Sequence, residues 1–206
     1  MRRILTRVVA GAAAVLALSG CIKLDMDMKL GKNEKLNGTF IVGVSTQLLT
    51  LAGQTKADII KSMKESSSDI PKGAKVETYD KDGYIGQKIT FKDLPASEFS
   101  KLNGAAAGAT AAAGGAASSS GNDLKLAKVK GNWQFSGTID LSSGSDSSTP
   151  DLSALGKAAT PSVRIKMTFP GKILKHDKFG KVDGNTVTWT PKTGQKVVML
   201  VVAETS

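Results

Sequence analysis

The sequence predicts an α+β fold in which a curved, mostly antiparallel sheet of about eight strands packs on one main helix and a short second helix. Several segments alternate apolar and polar residues, as half-buried strands do. Residues 48–68 carry helical spacing instead. Strands and helices do not alternate regularly along the chain, as they would in a parallel sheet, so a mostly antiparallel sheet is expected. The 206 residues are enough for one domain with a hydrophobic core.

The first 20 residues have the pattern of a lipoprotein signal peptide. Three arginines within the first seven residues precede an uncharged stretch, residues 8–18, which is too short for a permanent membrane span. This stretch is followed by Gly20 and Cys21, the only cysteine, in a Leu-Ser-Gly-Cys sequence that resembles a bacterial lipobox. The alternative is a plain secretory signal with an incidental cysteine. We predict cleavage between Gly20 and Cys21 and lipidation of Cys21.

The elements of the N-terminal half follow from periodicity and turn residues. Alternation predicts strands at 22–30 and 38–45, with a polar turn at 31–37 between them. Within 48–68, Gly53 separates a short first turn from the main helix at 55–68, which begins with a capping box formed by Thr55 and Asp58. Two strands, 75–80 and 84–91, flank a tight turn, and a short helix is predicted at 94–102 with Pro95 at its first position.

The C-terminal half reads as strands separated by two long polar loops. Residues 103–122 and 142–161 are rich in Ala, Gly and Ser and are expected to be flexible. We therefore expect a single domain, residues 21–204, after the signal peptide at 1–20. Its remaining strands are predicted at 124–130, 133–141, 162–169, 185–190 and 195–204.

Two blocks of sequence resemble the LppM family of actinobacterial lipoproteins. They are Tyr-Asp-Lys-Asp-Gly-Tyr-Ile-Gly at 79–86, followed by Phe-Lys-Asp-Leu at 91–94, and Val-Arg-Ile-Lys-Met-Thr-Phe-Pro at 163–170. Val-Thr-Trp at 187–189 also fits the family. The resemblance implies a secreted α+β domain comparable to lipid-binding folds, and a mycobacterial relative associated with envelope phosphatidylinositol mannosides. None of these motifs is catalytic.

The sequence departs from that family at two points. Its two long loops look like expansions, which leaves the position of any ligand site open. Family members can carry a C-terminal transmembrane helix, whereas the apolar run at 197–203 has the length of a buried strand.

The chemistry-bearing residues do not predict an enzyme. One Cys and one His exclude an intrachain disulfide, a cysteine-ligated zinc site and a two-histidine metal site, so no metal or cofactor is expected. Asp80 and Asp82 fit a hairpin turn better than a calcium loop, which needs further oxygen ligands. Asp25 and Asp27 fit a charge-balanced strand face better than a catalytic carboxylate pair. His176 stands in a charged loop without a recognisable catalytic partner.

The basic excess is carried by lysine. The formal net charge is +10, and Arg164 is the only arginine after the signal peptide. Because arginine is the usual bidentate reader of phosphates and bases, nucleic acid is not an expected partner. Diffuse lysine charge suits solubility or attraction to an anionic membrane.

The apolar side chains of the predicted helix and strands have two possible roles. If helix and sheet do not close completely, the helix residues and several strand methionines would line an apolar groove for acyl chains; otherwise they fill the core. We expect a non-catalytic lipoprotein, held on the extracytoplasmic face of the cell membrane by its N-terminal lipid, that binds or presents a phospholipid or glycolipid. The alternative is a surface module that binds another envelope protein. The groove candidates are Ile59, Ile60, Met63, Met26, Met28 and Met167.

Overall fold

The computed structural model describes residues 22–51, 53–65, 70–102, 124–141 and 161–205. The predicted signal peptide with its cleavage and lipidation residues, Gly20 and Cys21, lies outside the described residues, as do the loop 103–122 and residues 142–160 of the second loop. The strands are β1 (Ile22–Leu30), β2 (Lys35–Ser45), β3 (Lys75–Lys81), β4 (Tyr84–Pro95), β5 (Lys125–Val129), β6 (Asn132–Asp140), β7 (Ser162–Thr168), β8 (Ile173–His176), β9 (Lys181–Asp183), β10 (Thr186–Trp189) and β11 (Lys196–Ala203). The helices are α1 (Thr46–Leu51) and α2 (Lys56–Glu65), and a 3-10 turn (Ala96–Glu98) leads into helical residues 99–102.

The described strands form two sheets, so the prediction of one sheet of about eight strands is wrong. The large sheet has the order β3-β4-β2-β1-β7-β10-β9, and the small sheet has the order β5-β6-β11-β8. All pairs are antiparallel except β1 with β7, which confirms the α+β class and the mostly antiparallel pairing. Alternation shows that a strand has one buried face but not which strand it pairs with. The last two strands, β10 and β11, therefore join different sheets although only six residues separate them.

The helical region is close to the prediction. Gly53, at φ +66°, separates the two helices. The capping box forms as expected: the Thr55 amide donates to Asp58 Oδ2 at 3.0 Å, and the Asp58 amide donates to Thr55 Oγ1 at 3.2 Å. The helix predicted from Pro95 begins later, because β4 continues through Pro95 as the partner of Lys35.

Two short strands, β8 and β9, were not predicted. Their side chains are largely exposed, and charged residues interrupt any apolar alternation. They lie at the edges of the small and large sheets, respectively. Because an edge strand pairs on one side only, backbone hydrogen bonding rather than side-chain burial defines them.

The core lies between the sheets and includes a row of three aromatic rings. Phe135 on β6 meets Phe99 edge-on at 5.9 Å between centroids and Trp189 on β10 at 5.6 Å. The row therefore joins the helical residues 99–102, the small sheet and the large sheet. Aromatic pairs in this geometry add to the stabilisation from buried area.

Asp177, in the connection after β8, ties the two sheets together. Its Oδ2 accepts hydrogen bonds from Trp189 Nε1 at 2.8 Å and from the Leu200 amide at 2.9 Å. Its Oδ1 accepts from the amides of Phe179 at 2.8 Å and Gly180 at 3.1 Å. One carboxylate therefore fixes the loop 177–180 against a strand of each sheet.

Candidate functional site

A cleft of about 440 Å³ opens between one end of the large sheet and the edge strand of the small sheet. Three separate chain segments line it: the β1–β2 turn, the end of β4 with the residues that follow, and the β5–β6 hairpin. The lining residues are Asn33, Glu34, Lys35, Pro95, Ala96, Ser97, Leu126, Ala127, Lys128 and Trp133.

The cleft combines an apolar floor with a charged rim. Trp133 is only 4% exposed, Ala96 is buried, and Leu126 is packed against the core. At the rim, Lys128 Nζ lies 5.2 Å from the centroid of the Trp133 ring and forms an ion pair with Glu34 across the cleft. This arrangement suits an amphipathic ligand, because apolar and cationic groups stand side by side.

The β1–β2 turn positions Glu34. The Gly31 amide donates to the Lys35 carbonyl at 2.8 Å, and the Glu34 amide donates to the Gly31 carbonyl at 3.1 Å. Glu34 adopts a left-handed backbone conformation, at φ 61°, and its carbonyl accepts the Ala96 amide at 3.0 Å. These bonds fix the turn against the end of β4, so the position of this rim is set by backbone bonds.

The residues predicted to line a groove beneath the helix lie in the core. Ile59 and Met63 of α2, and Met26, Met28 and Met167 of the large sheet, are each at most 1% exposed, while Ile60 is partly buried against the same core. In the structure they pack as the core alternative describes. A ligand between α2 and the sheet would have to displace these side chains.

The carboxylates considered as a catalytic pair are engaged in ion pairs. Arg164 Nη2 lies 2.7 Å from Asp25 Oδ1, and Lys166 Nζ lies 3.2 Å from Asp27 Oδ2. These pairs join β1 to β7, the parallel partner, and give a charge-balanced outer face. His176 is exposed at the end of β8 in the other sheet, so the fold does not bring it together with this pair.

A second polar cluster stands next to the predicted lipidation residue. Lys23 Nζ lies over the rings of Tyr79 and Tyr84, 5.7 and 5.4 Å from their centroids, and 3.5 Å from Asp82 Oδ2. The Tyr79 hydroxyl donates to Asp82 Oδ2 at 2.8 Å. Burial, with the hydrogen bond to Asp82, raises the pKa of Tyr79 to about 12. That hydrogen bond, with the positive charge of Lys23, holds the pKa of Asp82 below its usual range.

Two glycines make room for this cluster. Tyr79, Gly86, Gly43 and Lys23 stand in one cross-strand row over four adjacent strands. A Cβ on Gly86 would lie 2.0 Å from the Val42 carbonyl oxygen. The absence of side chains at the middle of the row lets the tyrosine and lysine meet across it. In the sequence block at 79–86, Tyr79 therefore contacts Lys23, and Gly86 leaves the space that this contact needs.

Sequence reasoning missed the cleft because no local pattern marks it. Its lining comes from segments around residues 34, 96 and 128, and only the pairing of the sheets brings them together. The one signal in the sequence was that Trp133 and Lys128 lie close together in the chain. Without knowledge of the fold, this pair is interpreted as an ordinary core aromatic residue beside a surface lysine.

Neither a metal cluster nor a membrane-spanning helix is found among the described residues. Across the described ranges, no cluster of three or more His, Cys, Asp or Glu side chains is placed to hold a metal ion. Among the same residues, the helices are all too short or too polar to cross a membrane.

Comparison with known proteins gives one family and one fold. The family described as the LppM domain matches residues 23–205. The solved structures include the folded domain of LppM from Mycobacterium tuberculosis, determined by NMR, which superposes with a TM-score of 0.58 at 20% sequence identity and covers 90% of each chain. At that identity the likeness concerns the fold alone. No protein among the curated sequences matches significantly.

Proposed function

Because the chain belongs to the LppM domain family, we propose that it is a lipoprotein anchored through Cys21 on the extracytoplasmic face of the cell membrane, and that its domain binds a lipid or glycolipid. Family membership indicates a cell-envelope lipoprotein. What we propose beyond this is that the anchor lies on the extracytoplasmic face and that the domain binds a lipid. The role is binding or presentation of the ligand, without catalysis.

The observation that supports lipid binding is the amphipathic cleft. Its volume of about 440 Å³ falls within the range of small-molecule sites. We assign a segment of acyl chain to the floor formed by Trp133, Leu126 and Ala96. A phosphate or sugar headgroup would then meet Lys35 and Lys128 at the rim, where lysine supplies a compact positive charge.

The ion pair between Glu34 and Lys128 competes with such a headgroup. An anionic headgroup that binds Lys128 has to replace the Glu34 carboxylate. Glu34→Gln removes the competing charge and is expected to strengthen binding of an anionic lipid, whereas Lys128→Gln is expected to weaken it. These opposite signs separate headgroup recognition at the rim from a general effect on folding.

The decisive experiment is native mass spectrometry of the full chain with phosphatidylglycerol and phosphatidylinositol. We expect bound lipid on the wild-type chain and its loss in Ser97→Trp, which places a large ring at the exposed cleft rim. The matched control is Ser100→Trp, because Ser100 is exposed close by but does not line the cleft. Equal lipid binding by the two variants would contradict the cleft, and no lipid on any chain would favour the envelope-protein interaction module.

A further inference from the structure

Exposed apolar side chains are concentrated in one short segment. Among the described residues, six large hydrophobic side chains are exposed, and three of them lie within residues 174–182. They are Leu174 at 50%, Phe179 at 39% and Val182 at 36% exposure. This segment includes β8 and β9 and the loop between them, and we call residues 172–183 the basic edge.

Lysines alternate with these apolar residues. Lys172, Lys175, Lys178 and Lys181 recur at every third position, and all four are exposed. Within the described part of the chain, none of the four has a carboxylate within ion-pair distance. Their charge is therefore available to an outside partner.

The fold holds this segment in place. The edge contains two acidic residues, Asp177 and Asp183. The first accepts four N–H donors and fixes the loop that carries Phe179, as described above. Gly180 is buried, and a Cβ there would lie 2.8 Å from Val187 Cγ1. Lys178 Nζ lies 5.1 Å from the centroid of the Phe179 ring. The aromatic ring and its neighbouring cation are thus presented together on an ordered backbone.

We propose that the basic edge docks on the surface of an anionic lipid bilayer. The lysines meet lipid phosphates, and Phe179 and Leu174 enter the interfacial region, where apolar and cationic groups on one surface act together. A bilayer fits better than an acidic protein, because the exposed apolar groups are spread among the charges along an open edge rather than gathered in a pocket. This proposal does not depend on a ligand in the cleft.

The topology makes this docking compatible with both the anchor and the cleft. In the large sheet only β7 and β10 separate β9 from β1, which begins directly after Cys21. The corresponding lateral distance is about 14 Å. In the small sheet β8 and β5 are the opposite edges, so the cleft beside β5 stays open when the β8 side lies on the membrane.

The test uses an environment-sensitive fluorophore on the mature lipidated chain in vesicles. Leu174→Cys places the label in the basic edge, and Val76→Cys is the matched control on β3, the opposite edge of the large sheet, at 39% exposure in the native chain. In vesicles of equal parts phosphatidylcholine and phosphatidylglycerol, we expect a blue-shifted emission and quenching by nitroxide-labelled lipid at position 174 but not at position 76. Raising the salt from about 0.1 M to about 1 M shortens the Debye length from about 10 Å to about 3 Å and should reverse the shift.

A charge-matched pair of triple variants tests the lysines. Lys175, Lys178 and Lys181 changed to Gln should lower the ratio of docked to undocked protein by about 100-fold. The same change at Lys32, Lys72 and Lys92, which are exposed outside this edge, should leave the ratio nearly unchanged. Equal signals at positions 174 and 76, the same shift in pure phosphatidylcholine, or a response to soluble polyphosphate but not to vesicles would overturn the proposal.

Discussion

Replacing Asp177 with asparagine should destabilise the protein, although the side chain keeps its shape. Each carboxylate oxygen accepts two N–H groups, from Phe179 and Gly180 on one side and from Trp189 and Leu200 on the other. An amide has one acceptor oxygen, and its NH₂ group cannot accept a hydrogen bond. Whichever way the amide is turned, two N–H donors lose their partner.

The size of the effect follows from those two donors. A donor that loses its partner costs about 1–3 kcal/mol when it is buried and less when water can reach it. Because the bond from the Phe179 amide is exposed and the other three are part-buried, Asp177→Asn should lower the free energy of unfolding by about 1–3 kcal/mol. Natural domains have only about 5–15 kcal/mol in total. Because the Phe179 amide is one of the four donors, the same substitution should also weaken docking of the basic edge.

The assay is urea unfolding followed by circular dichroism at neutral pH. The control is Asp183→Asn on β9, where the carboxylate is exposed and the charge change is identical. The control should change the free energy of unfolding by less than about 0.5 kcal/mol. If the two variants have the same stability, Asp177 does not act as a link between the sheets.

Three further substitutions test the large sheet. Gly86→Ala should cost about 1–3 kcal/mol of stability, because its Cβ would meet the Val42 carbonyl oxygen at 2.0 Å; an unchanged urea midpoint would contradict this. The pKa of Tyr79 is raised from an ordinary value of about 10 to about 12. The contribution of protonated Tyr79 to the stability of the folded state is therefore complete below pH 10 and is lost as the pH rises to 12. Over that interval the wild-type chain should lose about 2 kcal/mol more than Tyr79→Phe in pH-dependent unfolding, and parallel curves would refute the assignment. Arg164→Gln should cost less than about 1 kcal/mol in thermal unfolding, because its ion pair with Asp25 is partly exposed to solvent; a larger loss would show that the pair is needed to hold β7 against β1.

The sequence predicted elements better than their arrangement. The nine residues of β1 alternate regularly, and the structure buries one face of the strand. The tight turn predicted between the strands at 75–80 and 84–91 forms at Asp82-Gly83, where both residues adopt positive φ values, as a two-residue turn requires. These features are local, so the residues themselves encode them.

The division into two sheets is not local. Residues 186–189 and 196–203 are neighbours in the chain but pair with β7 and β6, respectively. Nothing in their alternation distinguishes a hairpin from a crossing between sheets. The cleft depends on the same long-range pairing, since Glu34 and Lys128 are 94 residues apart. The family resemblance anticipated the class of protein but not the position of this site.

Photocrosslinking with a lipid identifies the part of the domain that the ligand contacts. A phospholipid with a photoreactive acyl chain is bound to the full chain, irradiated, and mapped by mass spectrometry of the digested protein. We predict adducts on the peptides that contain residues 95–97 and 126–133, and their loss in Ser97→Trp but not in Ser100→Trp. Adducts confined to α2, around Ile59 and Met63, would show that the ligand enters the core instead and would contradict the assignment of the cleft.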